Sequence, residues 1–234
     1  MPAAGSGVRF GQILPKQYMS LAGRTVIEWA LAPFIRDSRC EQIVVALAAD
    51  DERFGALPLP AGARVITVRG GAQRADSVGA ALAAVDGADD DWVLVHDAAR
   101  PCVTTLEVEA LLRDAEGSTA GALLALPLAD TLKRASPGRR VLDTPSRESL
   151  WRALTPQMFT RGMLRRALGA AREQGRVPTD EAQAVEWMGG QPLLVPGDPQ
   201  NLKITEAADL ALAESILNHR AALANAAVAT GAGH

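Results

Sequence analysis

The chain alternates short apolar runs with longer segments in which apolar residues recur every three or four positions. Five short runs, at 43–48, 65–68, 92–95, 122–126 and 193–195, are bounded by Gly, Pro or acidic clusters and predict buried strands. Between them the helical period predicts helices over 26–37, 74–85, 161–174, 181–188 and 206–217. Thr104 with Glu107 makes a capping box ahead of Val108, Leu111 and Leu112, which marks the start of another helix. Strands and helices in this alternation predict an α/β protein with a mainly parallel sheet covered on both faces.

One segment departs from the pattern. Residues 130–145, DTLKRASPGRRVLDTP, read as two short polar strands around a Ser-Pro-Gly turn, too polar for a core. They form a surface hairpin or an arm that reaches another subunit. Residues 1–220 read as a single domain with this arm at about 128–150, and the Ala/Gly-rich stretch 221–234 is expected to be a flexible, frayed tail. No internal repeat is present. In an α/β sheet an apolar strand usually delivers a glycine-rich phosphate loop, whereas here Met1 directly precedes Pro2. Either the start lies several residues earlier, with a central strand ahead of the loop, which is the reading favoured, or the sheet loses that strand.

Composition narrows the partners. The 234 residues carry a formal charge of -3, so no overall basic field points to nucleic acid or a membrane surface, and any anion site must be local. No run of 18 apolar residues and no signal-peptide pattern occurs, which leads to the expectation of a cytoplasmic protein. Cys40 and Cys102 form no CxxC pair and are expected to be buried free thiols. Of 24 basic side chains, 21 are Arg and three are Lys: Lys16, Lys133 and Lys203. Chance explains such a bias, or each lysine marks a place that needs a compact ammonium rather than a guanidinium fork.

Four stretches could carry chemistry. In MPAAGSGVRFGQILPKQ, small residues bare several backbone N–H groups, as an anion nest requires, and Arg9 and Lys16 follow as cations able to neutralise a polyphosphate. Gly5, Gly7 and Gly11 match neither G-x-G-x-x-G nor the Walker pattern, so neither a dehydrogenase nor a P-loop enzyme is supported, and a plain structural turn is the bland reading. WVLVHDAARPC ends an apolar strand in His96, Asp97 and Arg100. Open α/β sheets bind ligands at such strand ends, where Asp97 could hold Mg²⁺ and Arg100 contact phosphate, or serve as a cap and a surface cation. His96 reads as a satisfied, partly buried imidazole. RGGAQRADSV, 69–78, puts Gly70 and Gly71 after a strand and Arg74 and Ser77 at a helix start, where a base edge could be read or an ordinary turn made. Late in the chain stand Arg147, Thr155, Thr179 and Lys203. Thr179 and Thr205 are each plausible helix N-caps.

Read in order, PAAGSGxRF, LPKQY, GGxxRADSV, VHDAARPC, DTLKR, LTPQ, TDEA and NLKIT resemble the 2-C-methyl-D-erythritol 4-phosphate cytidylyltransferases of the non-mevalonate isoprenoid pathway, over residues 2 to about 217. The resemblance implies a Rossmann-like three-layer α/β/α nucleotidyltransferase fold, a homodimer joined through the arm, and Mg²⁺-dependent transfer of CMP from CTP with release of pyrophosphate. It implies that Pro2, Ala3, Ala4, Gly5 and Gly7 line the triphosphate, with Arg9 and Lys16 beside it. Gly71, Arg74 and Ser77 would surround the cytosine, and Asp97 with Ala98 would face ribose and metal. Arg100, Thr131, Arg147, Thr155, Thr179 and Lys203 would hold the polyol phosphate, with Arg9, Lys16 and Lys203 as the catalytic cations. The family usually has an acidic residue where Ala72 stands, so one side-chain contact near the cytidine is lost. A ribitol 5-phosphate cytidylyltransferase is the nearest alternative, and a non-catalytic nucleotide-binding module is the alternative from another class.

Overall fold

The computed structural model describes residues 1–5 and 14–231. Gly7, Arg9 and Gly11 of the glycine-rich stretch, and the last residues of the tail, therefore lie outside the described residues. The elements are β1 (Ser20–Leu21), β2 (Arg24–Thr25), α1 (Val26–Arg36), β3 (Ile43–Leu47), β4 (Val65–Arg69), α2 (Arg74–Ala83), β5 (Trp92–Val95) and α3 (Thr105–Ala115). They continue with β6 (Ala122–Pro127), β7 (Arg134–Ala135), β8 (Val141–Asp143), β9 (Trp151–Thr160), α4 (Arg161–Glu173), α5 (Glu181–Glu186), β10 (Leu193–Pro196) and α6 (Ala207–Gly231).

The α/β class holds, and the sheet is mixed rather than mainly parallel. β3 pairs β4 in parallel and β10 pairs β6 in parallel, but β9 lies between β6 and β5 and runs antiparallel to both, giving the order β10-β6-β9-β5. The cause is topological. The chain leaves the sheet at Pro127, makes the β7–β8 hairpin and re-enters through β9 without a helical crossover, and such a return reverses direction.

Ahead of the glycine-rich loop, where a central strand was expected, the described residues Met1 to Ala3 make one isolated parallel bridge to β3. The Ala46 N–H donates to the Met1 carbonyl at 2.9 Å and the Ala3 N–H to the Ala46 carbonyl at 2.8 Å. Next to it an apolar cavity of about 420 Å³ lies between β3 and β5, lined by Ile43, Val44, Leu82, Val93, Val95 and Leu164 among others.

Helices cover the strands through their apolar stripes. Thr25 caps α1 by a reciprocal box with Glu28, and Ile27 and Leu31 then bury fully against Val45 and Leu47 of β3. The box forecast at Thr104 and Glu107 caps α3, whose Leu111 and Ala115 pack on Leu124, Leu154 and Met158. Two helix ends differ from expectation. α6 runs to Gly231 rather than ending near 217, because its Ala-rich continuation is a strong helix former. Asp180, one residue after the expected Thr179, caps α5, because Asp180 is the residue that directly precedes the first helical turn and its carboxylate accepts from the Gln183 N–H at 2.9 Å. Thr205 lies just before α6, with its hydroxyl donating to Asp209 at 2.6 Å.

Candidate active site

A cleft of about 200 Å³ opens where β3, β4 and β5 end, lined by Pro2, Ala3, Ala4, Gly5, Lys16, Gly71, Arg74, Ser77, Asp97, Ala98 and Lys203 among others. Each residue arrives there for a local reason. The segment 2–5 is carried off the edge of β3 and is held from beneath by Gln17, a buried residue whose Nε2 donates to the Ala3 carbonyl at 2.9 Å. Lys16 stands one residue earlier on the same short turn, and its Nζ donates to the Ile204 carbonyl at 2.9 Å. The Ile204 N–H in turn donates to the Ala99 carbonyl at 2.8 Å, which ties the Lys203 segment to the turn after β5.

The Gly70–Gly71 turn fits only because both residues lack side chains. A Cβ on Gly70 would come within 2.6 Å of Ala4 Cβ and 2.9 Å of Ser77 Oγ, and one on Gly71 would collide with Asp76. Ser77 itself serves the loop: its Oγ accepts from the Gly71 N–H at 3.1 Å and donates to the Gln73 carbonyl at 3.2 Å. Ala72 borders the cleft without a polar side chain to offer.

Asp97, at the end of β5, is the electrostatic centre. Arg74 Nε donates to its Oδ1 at 2.9 Å, Lys203 Nζ lies 2.8 Å from its Oδ2, and Arg100 Nε stands 3.9 Å from the same oxygen. Burial alone would raise the pKa of this carboxyl, but Arg74, Lys203 and Arg100 outweigh it and hold it well below the usual carboxylate range. Arg74 is clamped from its other side by Glu181, whose two oxygens accept from Nη1 at 2.6 Å and Nη2 at 3.0 Å. Burial pushes the Glu181 pKa up, against the pull of Arg74.

Behind Asp97 a neutral network fixes the strand end. The Asp97 N–H donates to Thr155 Oγ1 at 3.1 Å, and His96 Nε2 lies 3.1 Å from the Arg100 carbonyl, so Nε2 carries the proton and Nδ1 accepts the Thr155 hydroxyl at 2.9 Å. Burial lowers the His96 pKa to about 4, so the ring is neutral near pH 7, the satisfied imidazole expected from the sequence. Arg100 is buried, with one Nη donating to the Asn201 carbonyl at 2.8 Å.

The structure thus brings together Pro2 to Gly5, Lys16, Gly71, Arg74, Ser77, Asp97, Ala98 and Lys203. Arg100 and Thr155 sit behind the cleft wall, while Thr131, Arg147 and Thr179 are exposed and outside its lining. Sequence reasoning missed Glu181 and Gln17. An acidic residue opening a helix reads as complementing the helix dipole, and a lone Gln carries no chemical signal. The adjoining lysine was the usable hint for Gln17.

A strand-end carboxylate, two lysines and a bared backbone segment facing one cleft of an α/β sheet define a nucleotidyltransferase-like protein. A family model for 2-C-methyl-D-erythritol 4-phosphate cytidylyltransferase matches residues 1–219. The protein of that name from Pseudoalteromonas atlantica is 47% identical over 223 residues, 95% of this chain and 96% of the relative. That from Halorhodospira halophila is 52% identical over 223 residues, 93% of this chain and 92% of its own. The crystal structure of the Francisella tularensis protein of that name superposes with a TM-score of 0.80 at 34% identity, over 92% of this chain and 96% of that one. The chain belongs to the 2-C-methyl-D-erythritol 4-phosphate cytidylyltransferase family.

Proposed function

We infer that the cleft binds CTP and that the protein transfers its CMP unit to 2-C-methyl-D-erythritol 4-phosphate, giving 4-diphosphocytidyl-2-C-methyl-D-erythritol and pyrophosphate. The observation that carries this reading is that the 2–5 backbone, Lys16 and the Lys203–Asp97 pair line one cleft. A phosphate oxygen of the acceptor attacks the α-phosphorus of CTP. A P–O bond forms, the bond from that phosphorus to the bridging oxygen of the β-phosphate breaks, and its electron pair leaves with pyrophosphate. The acceptor phosphate is already ionised near neutral pH, so no side chain has to remove a proton. What the protein supplies is position and charge: Lys16, Lys203 and Arg9 meet the phosphates, and Pro2 to Gly5 with Gly7 line the triphosphate, with backbone N–H groups offered by Ala4 and Gly5.

Gly71, Arg74 and Ser77 shape the nucleoside side, where reading falls to the backbone because Ala72 is apolar. Arg100, Thr131, Arg147 and Thr179 are assigned to the acceptor, and Thr155 acts there by holding Asp97. Mg²⁺ fits the donor set. Asp97 is a buried hard-oxygen donor in the cleft wall, and Mg²⁺ is commonly held by one or two carboxylates with substrate phosphates completing its shell. Among the described residues no group of three or more His, Cys, Asp or Glu could hold a metal ion. The bound ion supplies charge neutralisation at the triphosphate.

The working protein is proposed to be a cytoplasmic homodimer of one domain, residues 1–220, joined through the arm at about 128–150. In support, the arm exposes Val141, Leu142 and Leu150, with Trp151 of β9 exposed beside its end, and both cysteines are free thiols. The test is pyrophosphate release with CTP, Mg²⁺ and either methylerythritol 4-phosphate or ribitol 5-phosphate. Release with the first alone supports the reading. Release with ribitol phosphate alone changes the acceptor, and CTP binding without any release turns the protein into a binding module.

A further inference from the structure

We propose that Glu181 is a positioning residue that holds the Arg74 guanidinium in place and, through it, turns Asp97 so that only one of its oxygens faces the cleft. The proposal rests on the cytidylyltransferase reading of the site. Glu181 opens α5, is 1% exposed and does not line the cleft, so it acts through another group. Its carboxylate takes both Nη atoms of Arg74, at 2.6 and 3.0 Å, while Arg74 Nε reaches Asp97 Oδ1 at 2.9 Å. A planar fork held on two sides by carboxylates has no remaining freedom of rotation. Asp97 Oδ1 is thereby tied, and Oδ2 is the oxygen presented to the cleft-lining Lys203 at 2.8 Å.

Charge argues the same way. Arg74 stands between two carboxylates, so Glu181 balances much of its charge and leaves Asp97 able to serve other cations. Without Glu181, Arg74 would bring a less fully compensated positive charge to the cleft. The triphosphate would bind as well or better in the ground state, while the geometry around Asp97 would be lost. A carboxylate that merely tied α5 to α2 would predict something different: weaker folding, with binding and turnover falling together.

The experiment compares wild type with Glu181→Gln and Glu181→Asp. It measures kcat for pyrophosphate release, the CTP dissociation constant by calorimetry, and the midpoint of thermal unfolding. Glu181→Gln should lower kcat by on the order of 10-fold or more while CTP binds within about threefold of wild type or tighter, the signature of an interaction realised in the transition state. Glu181→Asp, which keeps the charge on a shorter stem, should recover part of that loss. Unchanged kcat in Glu181→Gln overturns the proposal, as do kcat and CTP affinity falling in step with the unfolding midpoint and no recovery in the Asp variant. If the Gln variant does not fold, the same split read on Glu181→Asp decides: reduced kcat with intact CTP binding supports it, and parallel losses overturn it. A wild type that releases no pyrophosphate refutes the enzyme reading itself, a result distinct from all of these.

Discussion

Replacing Lys16 by alanine should separate catalysis from folding. The ammonium donates to the Ile204 carbonyl at 2.9 Å from a half-buried position in the cleft wall. Losing such a hydrogen bond costs about 1 kcal/mol of stability. For a chain of this size that lowers the unfolding midpoint by about 2–4 °C. The cost to turnover is of another order. A preorganised group aimed at developing charge is worth about 3–4 kcal/mol in the transition state, so kcat should fall on the order of 10²-fold or more. Steady-state pyrophosphate release at saturating CTP and acceptor, with a melting curve on the same preparation, reads both quantities. Lys16→Arg should restore CTP binding more than kcat, because a guanidinium fork does not occupy the place of a compact ammonium. Unchanged kcat with only a raised KM would make Lys16 a binding residue. A midpoint lowered by 10 °C or more, about the effect of 3 kcal/mol, would show that the loss came from the fold and would sink the argument.

Gly70→Ala places a Cβ 2.6 Å from that of Ala4 and 2.9 Å from Ser77 Oγ, so the two loops must part. The expected result is about 1–3 kcal/mol of destabilisation in urea titration and a raised KM for CTP, and a neutral effect on both would mean that the loops are not held. His96 is buried with its pKa lowered to about 4 from 6.5. The unfolded chain binds the extra proton first, so this contribution is complete above pH 6.5 and is lost as pH falls toward 4, by about 3 kcal/mol. The difference between wild type and His96→Gln isolates the imidazole from the other titrating groups. A difference that does not vary with pH would refute this account. On the arm, Val141→Ser with Leu142→Ser should weaken self-association in sedimentation without lowering the unfolding midpoint of the monomer, since both side chains are more than 60% exposed. Wild type sedimenting as a monomer at all concentrations would end the dimer proposal.

The parts legible in the sequence are those whose function and local pattern coincide. The helix from Val26, the Thr104 cap and the strand ending at Asp97 announce themselves through apolar period, a capping box and an apolar run, and Lys16 and Lys203 through their rarity. β9 was missed for a physical reason. From Leu154 to Phe159 every residue is buried, yet Thr155, Pro156 and Gln157 break the apolar run. Thr155 and Gln157 are polar because they work inside the core: Thr155 bridges His96 and Asp97, and Gln157 donates to Asp180 at 2.9 Å and accepts from the Ala182 N–H. Strand patterns assume that interior means apolar. A strand whose interior positions hold up an active site violates that assumption at the positions that matter most.

The same principle explains the charges. A cleft meant for two anionic substrates needs cations, but cations left without partners beside a sheet end would repel one another and weaken the fold. Here they are distributed over carboxylates: Arg74 on Glu181 and Asp97, Lys203 on Asp97, with Arg100 close behind. The contact at the mouth differs from the one at the back. Lys203 is 39% exposed and meets a single oxygen of Asp97, whereas the Arg74–Glu181 pair is bidentate and its carboxylate is sealed. An incoming phosphate can therefore draw Lys203 away at low cost, because an exposed single contact is worth little. The buried pair remains. In the proposed reaction the site exchanges partners at its mouth while keeping its geometry at the back, and that division of labour makes Glu181 as informative a target as the lysines.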